Sequence, residues 1–270
     1  MKLEELADVP AWDWPEDAAE TIRTVLGDGS AGLEQRLLAA DLAGMVEVMD
    51  DDTADALLAV AGKAEEELEL RIRAAISLGP LFEYTDMMRG QGEEEVLVSA
   101  ATYERVDDAT RALFRDESVP AEVRRAVLEA SSRAPRDWHR DAVRAAYRSD
   151  DPDWRLTAVF CMRSVPGFQD EILQSLASNE PGMQYQAVCA AGEQRVDPAW
   201  LVVSALVREP IADQPLLLAA IESAAEIRPS EALTLLQPLT GSPDEEIAAA
   251  AEDALDLARA LLENDTDNRR

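Results

Sequence analysis

One short segment returns along this chain at a spacing close to thirty residues, and nothing else in the sequence restricts the fold as much. It begins at Arg36 (RLLAADLAG), Arg71 (RIRAAISLG), Arg124 (RRAVLEASS), Arg155 (RLTAVFCMR), Gln184 (QYQAVCAAG), Leu216 (LLLAAIESA) and Glu246 (EIAAAAEDA). The anchors lie 35, 53, 31, 29, 32 and 30 residues apart. Three residues past each anchor stand Ala39, Ala74, Val127, Ala158, Ala187, Ala219 and Ala249, and the following position is apolar in every copy. Apolar residues at +1, +4 and often +5 and +8 describe one face of a helix. Between anchors lies a second helical segment, such as DTADALLAVAG or HRDAVRAAYRS. Each unit therefore reads helix A, turn, helix B, turn. Such a unit cannot bury its apolar face alone and stacks on its neighbours as a solenoid. No alternating strand pattern bounded by hairpin turns is present; VLVSA is the best strand candidate.

The stretch DDPDWRLTAVFCM (150–162) shows how one unit is punctuated. Its carboxylates and proline belong at the start of a B helix, where free amides and the helix dipole favour negative charge. Trp154 then lies at the seam between units, and Arg155 reaches back toward turn carboxylates such as Asp151 or those of an adjacent unit. The pattern Asp-x-x-x-apolar-Arg-x-x-Ala, from Asp151 to Ala158, resembles the HEAT-repeat superfamily, in particular the short bacterial repeats of the phycobilisome-lyase type. The resemblance implies an all-α fold, a right-handed superhelix of about seven antiparallel helix pairs. It also implies a stacking ladder of Asp–Arg hydrogen bonds between repeats, carried by Asp151 and Arg155 and extending to Arg36, Arg71 and Arg124. Gln184, Leu216 and Glu246 break that pattern in the C-terminal half. The expected organisation is a lead-in over 1–14, a repeat array over 15–263 and a disordered tail over 264–270. The 53-residue gap holds an irregular insertion, EYTDMMRGQGEEEVLVS (83–99), which is read as disordered before it is read as a binding loop.

Composition narrows the function. The formal net charge is −30, and Lys2 and Lys63 are the only lysines. Such a charge repels nucleic acid and anionic membrane surfaces, and a lysine-poor acidic chain points to a salt-tolerant or high-GC prokaryotic source. Cys161 and Cys189 sit in apolar helical segments and are expected buried and reduced, as in a cytoplasmic protein. The opening MKLEELADVP lacks the apolar core of a signal peptide, and no window reaches ~18 uninterrupted apolar residues.

No motif outweighs its structural reading. GDGSAG (27–32) spells G-x-G-x-x-G but follows a helical segment instead of a strand. MDDDTAD (49–55) lacks the ligand spacing of a calcium loop and reads as an N-terminal cap through Asp52 or Thr53. His139, the single histidine, sits between Trp138 and Arg140; it is expected exposed in the first turn of an A helix, with Asp137 as the cap. A proton shuttle is the alternative for it. One histidine and two separated cysteines cannot build an ordinary closed zinc site, and no cofactor is expected.

The B helices are expected to line the concave side with Asp41, Arg73, Glu129, Arg133, Arg163, Glu193, Glu222, Glu226 and Glu252, of which Arg73, Glu129, Arg133, Arg163, Glu193 and Glu222 are the candidate partner-binding residues. Arginines in the middle and glutamates toward the C-terminus suit a protein segment of matching charge. The expected function is a non-enzymatic scaffold or adaptor, monomeric or weakly self-associating. Two alternatives stand beside it: a lyase-like subunit handling a small molecule near Arg133, Trp138, His139 and Arg163, and an acidic shield or nucleic-acid mimic for a basic protein.

Overall fold

The structure is a computed structural model that describes residues 2–91, 96–209 and 213–267. Among these residues there are sixteen α-helices and no strand. The A helices are α2 (Ala18–Gly27), α4 (Asp51–Gly62), α7 (Ala100–Arg115), α9 (Asp137–Tyr147), α11 (Gln169–Leu176), α13 (Trp200–Arg208) and α15 (Pro229–Leu236). Their B partners are α3 (Leu33–Ala43), α5 (Leu68–Ile76), α8 (Ala121–Ser131), α10 (Pro152–Cys161), α12 (Pro181–Glu193), α14 (Gln214–Ile227) and α16 (Glu245–Asp267). Two helices stand outside the pairs, α1 (Leu3–Ala7) and α6 (Gly79–Gln91). The seven pairs are the seven copies read from the sequence, and the chain is an all-α solenoid.

Two compact units divide the chain, residues 1–139 and 140–270. In the first, α3, α5 and α8 stack as the B layer over α2, α4 and α7. In the second, α10, α12, α14 and α16 stack in order. The alanine column explains the close stacking: Ala39, Ala74, Ala158 and Ala187 are fully enclosed, since a methyl side chain lets helix backbones approach closely and costs nothing in helix propensity. The last copy departs from this register. Ala249 is exposed, and α16 buries Ala251, Ala254, Leu255 and Ala258 instead. No described helix packs on the outer side of α16, so its +3 position has nothing to nest against.

The anchor residues act differently from the expected ladder. Arg36 Nε donates to the Leu26 carbonyl at 3.0 Å, Arg71 Nε to Ala61 at 3.0 Å, and Arg124 Nε to Phe114 at 2.8 Å. Each acceptor lies ten residues back, one residue before the end of the A helix of the same pair. The last carbonyls of a helix lack intrahelical partners and form the negative end of its dipole, so a guanidinium there supplies both a donor and a charge. Arg155 uses one terminal nitrogen on the Ser149 and Asp150 carbonyls, both at 2.9 Å. Gln184 reaches Leu176 O, the last residue of α11, at 3.4 Å. Asp151 caps its own helix, accepting from the Asp153 amide at 2.9 Å. The recurrent arginine thus ties helix A to helix B within a pair instead of pairing with Asp across repeats. An ion pair between repeats does occur at Arg36, whose side chain meets Glu66 at 2.6 Å. Replacing Arg71, which is 4% exposed, by methionine keeps the buried stem and removes the donor to Ala61. We expect a loss of about 2 kcal/mol, the cost of an unsatisfied buried carbonyl, read as a lower urea midpoint at unchanged slope.

Three further expectations are corrected. Residues 83–91 of the supposed irregular insertion are the later turns of α6, which buries Leu81, Phe82 and Thr85 and packs on α8. These three positions, spaced i, i+1 and i+4, form one helical face. Residues 92–95 of that segment lie outside the described residues, and Ser99 is already the cap of α7. The C-terminal tail is helical to Asp267; residues 268–270 lie outside the described residues. The cap of α4 is Asp50, which accepts from Thr53 N at 2.7 Å, while Thr53 is buried in the first turn. The lead-in is also ordered: α1 buries Leu3 and Leu6, and Trp14 Nε1 donates to Leu6 O at 2.9 Å.

Candidate functional site

The B helices place the candidate partner-binding residues in two groups, one in each unit. In the first unit Arg73 on α5 bonds both carboxylate oxygens of Asp41 on α3, at 2.9 and 2.8 Å. Arg133 meets Glu83 of α6 at 2.5 Å, its guanidinium lying over Gly79, where a Cβ would stand 2.9 Å from Nε. Glu129 is half-buried on α8. The arginines that would offer positive charge to a partner are therefore already engaged with carboxylates of their own unit.

The second unit brings the other three candidates together. Arg163, just after α10, donates through Nε to Glu193 of α12 at 2.7 Å and lies 5.4 Å over the Phe160 ring. Around this pair stand Tyr185 and Cys189 on α12, and Glu222 and Glu226 on α14. Burial pushes the Cys189 thiol up, which holds it protonated and weakly nucleophilic. Neither cysteine is in a disulfide; Cys161 is buried and Cys189 half-buried.

Glu226, which the sequence places on the concave face beside Glu222, belongs to this group. Its carboxyl rests against Gly192 of α12, where a Cβ would lie 2.4 Å from Oε2. Burial is the main cause that raises its pKa to about 7, and the Glu222 and Glu193 carboxylates add to it. Arg195 and Arg163 pull the other way. Arg195 is held nearby by a Schellman turn that closes α12, with Arg195 N bonded to Gly192 O at 2.7 Å and Val196 N to Ala191 O at 2.9 Å. Its φ of 49° is a conformation usually left to glycine. The sequence signal for this corner was Gly192 followed by Glu193, with Glu222 and Glu226 one helical turn apart. Their meeting depends on the spacing between repeats.

His139 is not the exposed residue that its polar flanks suggested. It is fully buried. Its Nδ1 accepts from the Arg136 amide at 2.9 Å, just ahead of α9, as the third residue of a capping box does. That fixes the proton on Nε2, which donates to Ser131 Oγ at 3.0 Å, while Ser131 passes its own proton to Val127 O at 2.8 Å. The ring stacks on Trp138 with centroids 3.8 Å apart. Both nitrogens are spent on the backbone and on α8, so this histidine caps a helix and offers no free nitrogen to a substrate. Burial lowers its pKa to about 4.

Among the described residues no group of three or more His, Cys, Asp or Glu side chains is disposed to hold a metal ion. No described helix is long and apolar enough to cross a membrane.

No protein-family model matches the chain, and no curated protein matches it. Solved structures do. A chain of the complex of CpcE and CpcF of phycocyanin lyase from Nostoc aligns over 92% of this chain and 97% of its own, at 16% identity and a TM-score of 0.53. YibA of Escherichia coli aligns over 94% and 85%, at 16% identity and a TM-score of 0.45. An archaeal HEAT-like repeat protein from Thermococcus onnurineus aligns over 92% and 99%, at 14% identity and a TM-score of 0.38. At 16% identity the likeness to the phycocyanin lyase chain is one of fold alone, an all-α solenoid.

Proposed function

We propose that this HEAT-like α-solenoid is a non-catalytic scaffold or adaptor, cytoplasmic, whose C-terminal unit holds a basic protein segment against its B-helix face. One observation carries the reading. Glu193, Glu222 and Glu226 crowd onto adjacent helices around Arg163, which is already paired with Glu193, and Glu252 is exposed on the next helix, α16. Crowded carboxylates repel one another, and a lysine or arginine from a partner relieves that repulsion where water and salt do so only weakly. The net charge of −30 favours such a partner over nucleic acid or an anionic membrane. Association should be fast at low salt and fall as the Debye length shrinks to ~8 Å under physiological conditions.

The test is affinity purification of the tagged chain from its native cells, comparing wild type with a Glu222→Lys/Glu252→Lys variant. The partner recovered with wild type should be held at least tenfold more weakly by the variant, and equally well by a Glu16→Lys control in the other unit. Equal retention by the double variant, or no protein partner at all, would count against the reading. The lyase alternative stands on the shared fold alone: it gains no residue from His139, whose nitrogens are both occupied. An acidic shield would need its carboxylates gathered on the B face, and the same charge-reversal variant tests that reading too.

A further inference from the structure

Elsewhere in the C-terminal unit, independent of the B-face reading, a cavity of about 370 Å³ opens beside Arg155. We propose that it is a binding site for a small monocarboxylate, with the Arg155 guanidinium as the anion receptor. Its walls include Tyr147, Arg155, Gln174, Ser178, Glu180 and Met183. The size falls in the ~300–1,000 Å³ range of small-molecule sites.

The argument comes from comparing repeats. At the first anchor, Arg36 gives Nε to the A-helix carbonyl and a terminal nitrogen to the Glu66 carboxylate at 2.6 Å. Glu66 lies in the turn of the following pair, five residues ahead of its anchor, Arg71. The chain thus shows what an anchor arginine binds when its outer edge is satisfied: a carboxylate delivered from the next turn. Arg155 has no such partner. Both of its bonds, to Ser149 O and Asp150 O, leave from a single terminal nitrogen, so Nε and the other terminal nitrogen meet no described acceptor. The residue in the place of Glu66 is Asn179, five ahead of Gln184, and it brings an amide where the first repeat has a carboxylate. The terminal nitrogen that meets Glu66 in the first repeat is taken by the two carbonyls at Arg155, and it is the edge formed by Nε and the other terminal nitrogen that stays open here.

The remaining walls supply donors. Gln174 accepts the Tyr147 hydroxyl through Oε1 at 3.1 Å, which leaves its NH₂ group free to donate. Ser178 Oγ accepts the Glu180 amide at 3.1 Å and keeps its own hydrogen. The first turn of α12 carries no acidic side chain. Against these stands Glu180, exposed and the one carboxylate among the lining residues. It limits the site to a single negative charge and disfavours dicarboxylates and phosphate, as does the net charge of −30.

The test is an NMR titration of the full chain with sodium butyrate, sodium succinate and sodium chloride at matched ionic strength. The Arg155 Nε–H and the Met183 amide are the reporters. Butyrate should give saturable shifts at both, succinate at least fivefold weaker binding, and chloride none. Arg155→Gln should weaken butyrate at least tenfold. Asn179→Glu, which places a carboxylate of the chain at the position that Glu66 holds in the first repeat, should abolish butyrate binding while keeping the fold. Shifts that match those of chloride would overturn the proposal. So would a folded Asn179→Glu chain that still binds butyrate as wild type does, a readout that holds even where Arg155→Gln does not fold.

Discussion

Acidification from pH 6.5 to 4 should strip about 3 kcal/mol from the N-terminal unit through one side chain, His139. The ring is ordinarily half-protonated at 6.5 and is held neutral in the fold down to about 4. Between these values the unfolded chain binds a proton that the folded chain refuses, so stability falls as the pH falls, at about 1.4 kcal/mol per pH unit. Above 6.5 both states are neutral and the contribution is fully present. Below 4 both are protonated and it is gone. The cause is burial: a second ring proton would displace the Arg136 amide from Nδ1 and leave a charge with no carboxylate bonded to it. Two variants separate packing from titration. His139→Ala should lose about 3 kcal/mol at pH 7, since it empties a buried ring and leaves the Arg136 amide without its acceptor. His139→Gln keeps an acceptor at the third position of the capping box but does not titrate. Its urea midpoint should therefore lie nearer wild type at pH 7 and change less between 6.5 and 4. Identical pH profiles for wild type and His139→Gln would show that the histidine does not carry the acid sensitivity.

His139 also marks where sequence reasoning ran out. The helix pairs were legible because their apolar positions repeat at a helical period and their small residues repeat at a solenoid period; both are one-dimensional signals. Ala39, Ala74, Ala158 and Ala187 could be placed on buried faces from spacing alone. The partners of the anchors could not. That Arg36, Arg71 and Arg124 each reach a carbonyl ten residues back depends on the path of the interhelical turn. A pattern beginning with Asp drew attention to carboxylates instead. His139, between Trp138 and Arg140, carries the polar surroundings of a surface turn; its burial follows from Phe114, whose ring packs 5.3 Å from Trp138, and from Ser131 on α8. Residues 83–91 misled in the other sense, since acids and glycines concealed the face made by Leu81, Phe82 and Thr85. At the B-face site, Arg163, Glu193, Glu222 and Glu226 could be placed on one face from the sequence and do meet, whereas the burial and crowding of Glu226 follow only from the α12–α14 spacing.

That spacing is set by Gly192, and Gly192→Ala should destabilise the C-terminal unit by about 3 kcal/mol. In an ordinary helix interior the change would be favourable by roughly 1 kcal/mol. Here the added Cβ would lie 2.4 Å from Glu226 Oε2, 2.7 Å from Ser223 Oγ and 2.9 Å from Ser223 Cα. The glutamate is the end of a flexible side chain and can swing away. Ser223 Oγ is tied to Val188 O at 2.9 Å across the buried seam, so moving it breaks a bond worth about 1 kcal/mol or more when its acceptor stays buried. Ser223 Cα is backbone, and relieving that contact shifts α14 bodily and loosens the packing of Ala220, Ala224 and Ile221, an overpacking cost of about 1–3 kcal/mol. Together these outweigh the gain in helix propensity. Adding Ser223→Ala to Gly192→Ala removes the Oγ contact but not the backbone one, so the double variant should remain less stable than Ser223→Ala alone. Urea unfolding of the four chains decides the matter. A Gly192→Ala chain more stable than wild type would mean that α12 and α14 stand further apart than a glycine contact requires, and the carboxylates of the B face would then lose the confinement that crowds them.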